Sequence, residues 1–404
     1  MKELLIKLKQ HYAKYHKEIR YFWKYVLKDK CHIGRYRSRK VIMLRLDLIG
    51  DCTMFTSAAL ALREHYKDRE MTMVCLQVSR PIFERLGVFD KIISLPFKPE
   101  AIDWKALKGT IKDIRREKYD ILLQPQLSKY AIADIIASAC KCNKRISIEP
   151  IMPHGNAKPS WIKMTNFLYD RFIPYPRGVV SEFDYYGAFV RGVVSPDYKT
   201  TMPKLRVEKQ HFIYGDYYIL YPGGSLVQKM WPADRFARVA EYIYKQTGLT
   251  GVICGSPDEQ WVADNLKASL NLITSMSIID LTGRTTIFDV IDLIGNAKFI
   301  VTNDTSGVHI AAATNTPSVV DVGGWHFERF LPYYIEDIKP GEHLPLAAYT
   351  EMPCYYCNWE WDVVGERNPE CLERLKTGQP SSCILTINVE QMITLVDQVI
   401  SEVL

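Results

Sequence analysis

The chain has 404 residues, 47% of them apolar and 24% charged, with a formal net charge of +6. That length suffices for two domains with separate cores, and no run of eighteen apolar residues offers a membrane-spanning helix. The N-terminus lacks an apolar signal core followed by a small-residue cleavage site, so the expectation is a cytoplasmic protein.

Charge is concentrated at the start. Residues 1–40 hold thirteen Lys or Arg against three acidic residues, a net of +10 that leaves −4 for the remainder. Leu4, Leu5, Leu8, Tyr12, Tyr15, Ile19, Phe22, Trp23, Val26 and Leu27 recur near helical spacing within this segment. A basic amphipathic helix with aromatics suits an anionic membrane surface. The same pattern also fits a helix packed on the body of the protein, or a weak nucleic-acid arm. The membrane surface is the preferred partner, with no nucleic acid expected.

From Val41 the chain alternates. Val41–Leu46, Met71–Leu76, Lys91–Leu95, Tyr119–Gln124 and Arg145–Ile148 read as strands. Between them, helices are expected over about 53–66, 81–86, 104–117 and 131–140. Residues 150–177 carry Pro150, Pro153, Pro159, Pro174 and Pro176 and read as an irregular excursion, and 185–193 as a helix. The polar stretch 196–209 reads as an interdomain linker. The alternation then restarts. Strands are expected at 217–221, 251–254, 279–281, 299–301 and 319–320, and helices at 232–247, 258–269, 287–295, 306–313 and 388–404. This βα pattern predicts two doubly wound parallel sheets, that is, two Rossmann-like α/β domains facing a central cleft. The expected partition is an arm over 1–40, a first domain over 41–200, a second over 201–385 with a Cys-rich segment at 354–383, and a C-terminal helix over 386–404.

No G-x-G-x-x-G follows a strand and no G-x-x-x-x-G-K-S/T occurs, so a dinucleotide fingerprint and a P-loop are both missing. H-E-x-x-H and G-x-S-x-G are also missing. What remains is three loops at strand C-termini. Gly50-Asp51 follows the first strand. There Asp51 is either an N-cap carboxylate or a general base. In Tyr221-Pro-Gly-Gly-Ser225-Leu-Val-Gln-Lys229, a Gly-rich turn with Ser225 and Lys229 offers N–H, hydroxyl and ammonium donors to phosphate oxygens. A solvated surface loop fits the same residues. In Asn303-Asp304-Thr305-Ser306-Gly307-Val308-His309, good N-caps open a helix whose first N–H groups have no intrahelical partner. That end is an anion site or an ordinary capped helix. His309 lies one turn in, where it either faces a ligand or packs.

Ten cysteines are present. Six are scattered and read as reduced, mostly buried thiols. Cys354, Cys357, Cys371 and Cys383 cluster, with one close pair. Such a set suits structural zinc, but the later two lack the second close pair, and local disulfides or unlinked thiols are the stronger expectation.

Four pieces together resemble glycosyltransferase family 9, the ADP-heptose:lipopolysaccharide heptosyltransferase type with a GT-B fold. They are Gly50-Asp51 with Thr56 and Leu60, Lys229-x-Trp231-Pro232-x-x-Arg235-Phe236-Ala237, Leu281-Thr282-Gly283-Arg284-Thr285, and Asp304–His309 with the Ala311-Ala312-Ala313 run. The resemblance extends from about Val41 to about Val322. Where the family usually has Asp-Thr-Gly, this chain has Asp304-Thr305-Ser306, with Gly307 next.

The resemblance implies an inverting, metal-independent transferase with no cofactor. Its donor would be a nucleotide-diphosphate sugar, ADP-heptose before others, and its acceptor a lipopolysaccharide-core or other lipid-linked glycan. It implies Asp51 as base, Lys229 as phosphate contact, and Ser225 with Asp304, Thr305, Ser306, Gly307 and His309 around the diphosphate. Glu259, or Asp258 beside it, would grip ribose hydroxyls. No acidic D-x-D pair sits in a matching loop. The place implied is the inner face of a bacterial inner membrane. A noncatalytic nucleotide-sugar or glycan-binding module and a GT-B-like epimerase are the alternatives.

Overall fold

The computed structural model describes residues 2–30, 36–99, 101–150, 158–178, 181–208, 215–357 and 369–404. The chain divides into two compact units, one of Met1–Cys52, Ala58–Pro176 and Tyr185–Tyr198, the other of Thr53–Ser57, Arg177–Asp184 and Lys199–Leu404.

Each unit is built on a six-stranded, all-parallel sheet. In the first, β1 (Val41–Arg45), β2 (Met71–Leu76), β3 (Lys91–Leu95), β4 (Tyr119–Gln124), β5 (Cys142–Ile148) and β6 (Arg171–Ile173) lie in the order β3-β2-β1-β4-β5-β6. In the second, β7 (Tyr217–Tyr221), β8 (Thr250–Ile253), β9 (Ile278–Asp280), β10 (Ile300–Asn303), β11 (Ser318–Asp321) and β12 (Leu346–Ala348) lie in the order β12-β11-β10-β7-β8-β9. The two orders are the same topology. Helices cover both faces of such sheets, so central strands read as unbroken apolar runs. β1, β2 and β7 are buried at every position, whereas the edge strand β9 is half-buried throughout. Strand order reverses between β1 and β4 and between β7 and β10. Loops leaving those strands splay apart there and open a crevice at the C-terminal edge.

Three local readings change. The single helix expected over about 53–66 is two, Ile49–Met54 and Thr56–His65, with a turn at Phe55. At this break the Thr56 hydroxyl donates to the Thr53 carbonyl at 2.7 Å, a side-chain bond that competes with the helical ladder. The expected excursion over 150–177 holds the Pro159–Thr165 helix and β6. Pro159 opens that helix rather than breaking one, as its missing N–H allows in a first turn. β12 was not expected, because three residues are too few to show a period.

The basic N-terminal segment is a helix over Lys2–Lys30. Tyr21, Phe22, Tyr25 and Val26 are buried in the core of the first unit beside residues of the Ala131–Ala139 helix. Phe22 meets Trp161 edge-on at 5.7 Å, and Tyr21 lies 4.6 Å from Trp104. Packing on the body therefore accounts for the apolar face of residues 21–26. Behind it, the buried Asp134 carboxylate accepts from Trp161 Nε1 (2.8 Å), Thr165 Oγ1 (2.9 Å) and Tyr169 Oη (2.6 Å). These three donors offset its desolvation and tie the 159–173 segment to the sheet layer. Phe22→Ala should remove about 3–5 kcal/mol of unfolding free energy, measured by denaturant titration. An unchanged midpoint would show that the helix does not share this core.

Candidate functional site

The second unit gathers at its switch point the loop residues expected around a diphosphate. The loop after β7 and the loop after β10 are joined by one buried side chain, Asn303. Its amide donates to the carbonyls of Pro222 and Gly223, and its Oδ1 accepts from Trp231 N–H at 3.0 Å. A sequence reading treats Asn303 as a cap; here it bolts two loops together. The Lys-x-Trp-Pro-x-x-Arg signature is largely structural. Trp231 Nε1 donates to the Ile387 carbonyl (2.9 Å), and Arg235 donates to the carbonyls of Leu385 and Ile387 (2.8 and 2.6 Å). Both residues fix the C-terminal segment and leave Lys229 to carry the chemistry.

The Ser306–Thr314 helix begins directly beyond β10, with Asp304 buried and Thr305 and Ser306 half-buried. Gly307 is required by crowding, since a Cβ there would lie 3.0 Å from the Tyr221 ring and 3.1 Å from Thr302 Oγ1. The displaced glycine thus lets the helix N-terminus press onto β7. Ser225 is exposed on the facing turn.

Glu259 sits at the third corner. Its Oε2 accepts from Ser256 N–H at 2.5 Å in a capping box. A Cβ on Gly223 would lie 2.5 Å from this carboxyl group, and one on Gly255 3.2 Å from Oε2. Two glycines therefore make the space that Glu259 fills between the β7 and β8 loops. Asp258 is solvent-exposed, so geometry favours Glu259 of the pair.

Lys229 ends a short 3-10 turn, and its ammonium lies 3.7 Å from the centre of the Trp325 ring. His326 stacks on Trp325 at 3.8 Å. Neither aromatic was anticipated. The available signal was Gly323-Gly324-Trp325-His326 directly after a strand, where the crowding of Gly324 against Tyr355 brings the turn close. Burial governs the remaining charges. It drives His309 down to about 3 and His326 well below its usual range, each helped by Lys229. His309 Nδ1 is 2.7 Å from the Tyr333 hydroxyl, and the two rings stack. His309 is therefore a neutral, packed ring. Burial also raises Asp304, which Lys229 partly offsets, and pushes Asp321 far up with Asp304 adding to it. Both Asp321 carboxyl oxygens are buried, with no hydrogen-bond partner among the described residues.

In the first unit, Asp51 lies in the first turn of the Ile49–Met54 helix, half-buried at the C-terminal edge beside β1. Asp47, four residues earlier, is an alternative carboxylate. Its Oδ2 is 3.1 Å from Arg45 Nε and its Oδ1 accepts from Gln126 Nε2 at 2.5 Å, so both oxygens are committed.

None of the nine described cysteines forms a disulfide. Burial pushes the Cys354 and Cys383 thiols up, with Cys371 adding to both, and Cys383 Sγ accepts from Gly324 N–H at 3.3 Å. Among the described residues, however, no three His, Cys, Asp or Glu groups converge closely enough to hold a metal ion.

The second unit thus pairs a cation, free helix N–H groups and a Gly-rich turn with a carboxylate one loop away. That set fits a diphosphate joined to a diol. A family model described as glycosyltransferase family 9 (heptosyltransferase) matches residues 181–333. Lipooligosaccharide heptosyltransferase 2 of Haemophilus ducreyi is 23% identical over 288 residues, 69% of this chain and 81% of its own. Two solved structures share the fold. A family 9 glycosyltransferase from Veillonella parvula has a TM-score of 0.68 at 15% identity, covering 92% of this chain and 100% of its own. The ADP-heptose lipopolysaccharide heptosyltransferase II of E. coli has a TM-score of 0.64 at 16% identity, covering 90% and 99%.

Gly223→Ala should press on the Glu259 carboxyl group and lower the unfolding free energy by about 1–3 kcal/mol. Denaturant titration reads this, and an unchanged midpoint would show that the two loops yield without cost.

Proposed function

We propose that this chain, which resembles the family 9 glycosyltransferases, is a glycosyltransferase that moves a heptosyl group from ADP-heptose to a lipopolysaccharide-core-type, lipid-linked acceptor with inversion at the anomeric carbon. The observation that carries this reading is the switch-point cluster of Ser225, Lys229, Glu259 and the 304–307 loop, bolted together by Asn303. The names of the relatives support the donor and the acceptor class.

In this mechanism the Asp51 carboxylate takes the proton of the acceptor hydroxyl as that oxygen attacks the anomeric carbon. The carbon–oxygen bond to the diphosphate breaks on the opposite face, and its electron pair leaves with ADP. The charge that develops on the diphosphate is met by the Lys229 ammonium, the N–H groups at the start of the Ser306–Thr314 helix and the Ser225 hydroxyl. Glu259 accepts from the ribose hydroxyls. Thr305, Ser306 and Gly307 shape the anion pocket. Asp304 lies buried behind Lys229, and His309 with Tyr333 forms the pocket's neutral wall. Each step is carried by protein groups, with no metal in the reaction.

Asp51→Asn should lower kcat by about 10²–10⁴-fold, the usual contribution of a general base, and leave the Kd for ADP within about twofold. Lys229→Met should do the reverse, raising that Kd by at least about tenfold. ADP release in the presence of acceptor measures the first, and titration the second. Full transfer by Asp51→Asn would remove the base. Conversion of ADP-heptose without any acceptor would point to an epimerase instead.

We also assign this chain to the cytoplasmic face of the inner membrane. No helix among the described residues is long and apolar enough to cross a membrane. Opposite the packed face of the N-terminal helix, His16, Arg20, Lys24 and Lys28 are exposed at four-residue intervals and form one basic stripe. Such a stripe gains roughly 1 kcal/mol per basic residue at an anionic lipid surface. Reversal to Glu at 20, 24 and 28 should abolish cosedimentation with phosphatidylglycerol-containing vesicles, and retained binding would exclude the stripe.

A further inference from the structure

We propose that Arg45 and Tyr186 form a clamp that sets the position of Asp51, so that Arg45 is a positioning residue for glycosyl transfer. The inference rests on the reading of Asp51 as the base.

Arg45 is the last residue of β1, only 2% exposed, and sits below the loop that carries Asp51. Its Nη2 donates to the Tyr186 hydroxyl at 2.7 Å and to the main-chain carbonyl of Asp51 at 3.3 Å. The Tyr186 hydroxyl in turn lies 3.4 Å from that same carbonyl and donates to it. The guanidinium stacks on the Tyr186 ring at 4.7 Å. Its Nε faces Asp47, whose other oxygen is held by Gln126 from the loop after β4.

A buried guanidinium is costly unless paired. Here the pairing is spread over three segments that meet at the switch point: β1, the β4 loop and the Glu182–Val193 helix. The helix carrying Asp51 has six residues and stops at Met54, too short to fix its own placement by propagation. The clamp supplies what that helix lacks, and grips Asp51 through its main-chain carbonyl. An error of about 1 Å at a reacting group costs on the order of 10²-fold in rate.

Tyr186→Phe keeps the ring and removes the hydroxyl, so it tests the clamp without opening the core. It should lower kcat about tenfold while both KM values and the ADP Kd stay within about twofold. Arg45→Met should lower kcat about a hundredfold where it folds. In an Asp51→Asn background Tyr186→Phe should cost nothing further, because residues that act as a unit are not additive. A folded Tyr186→Phe with wild-type kcat would overturn the clamp, as would the same tenfold cost in the Asp51→Asn background or a loss shared equally between kcat and KM. An active Asp51→Asn would instead overturn the base, and the clamp with it.

Discussion

The buried amide of Asn303 is the constraint on which the switch-point loops of the second unit depend. Parallel sheets place every βα loop at one edge but do nothing to hold neighbouring loops together. At the β7–β10 crevice the loops are drawn together by a side chain that accepts from Trp231 and donates to Pro222 and Gly223. Asn is suited to this because it offers both donors and an acceptor on one planar group. Asp would lose the two donations, and Leu of similar size would leave two buried carbonyls and one N–H unpaired. With the 222–225 turn fixed, Gly223 opens the space for Glu259, and Lys229 follows one 3-10 turn later at a determined distance.

Electrostatic specialisation follows from burial. His309, His326, Asp304 and Asp321 all lie in the low-dielectric shell behind the loops, and each is pushed toward its neutral form. Lys229 sits at the rim over Trp325, where the ring face favours a cation without neutralising it. Positive charge at this edge is thereby concentrated at one side chain and at helix N–H groups. His309, which the sequence leaves as either a ligand contact or a packed ring, is packed against Tyr333.

Legibility followed element length and chemistry. The long apolar runs at β1, β2, β4 and β7 announce central parallel strands, because residues buried on both faces leave no alternation to misread. β6 and β12, at three residues each, carry no period and pair only at sheet edges. Lys229, Glu259, Asp304 and Gly307 were legible as candidates because phosphate and diol recognition would need those residue types next to glycine turns. Asn303 as a bolt, Trp325 as a platform and the Arg45–Tyr186 pair were not. Their roles depend on partners 72, 96 and 141 residues away in sequence, and nothing local to any one of them reports the other.

The two sheets solve the same problem with the same kind of part. In the second unit an Asn closes β10 and reaches across to the β7 loop. In the first, Gln126 just beyond β4 reaches across to the β1 loop, with Nε2 on Asp47 and Oε1 accepting from Leu46 N–H at 3.3 Å. The topologies are identical, so each bolt spans the equivalent crevice. The first differs by adding a charge: Asp47 carries the amide's hold on to Arg45, and Arg45 carries it on to the main chain at Asp51. In the second unit the neutral amide alone ties the loops. In the first, a carboxylate bound to a buried guanidinium fixes the backbone at Asp51 while leaving the local charge balanced. Exchange of Gln126 for Glu would set a third carboxylate against Asp47 and break that balance, whereas exchange for Asn would shorten the reach and keep it.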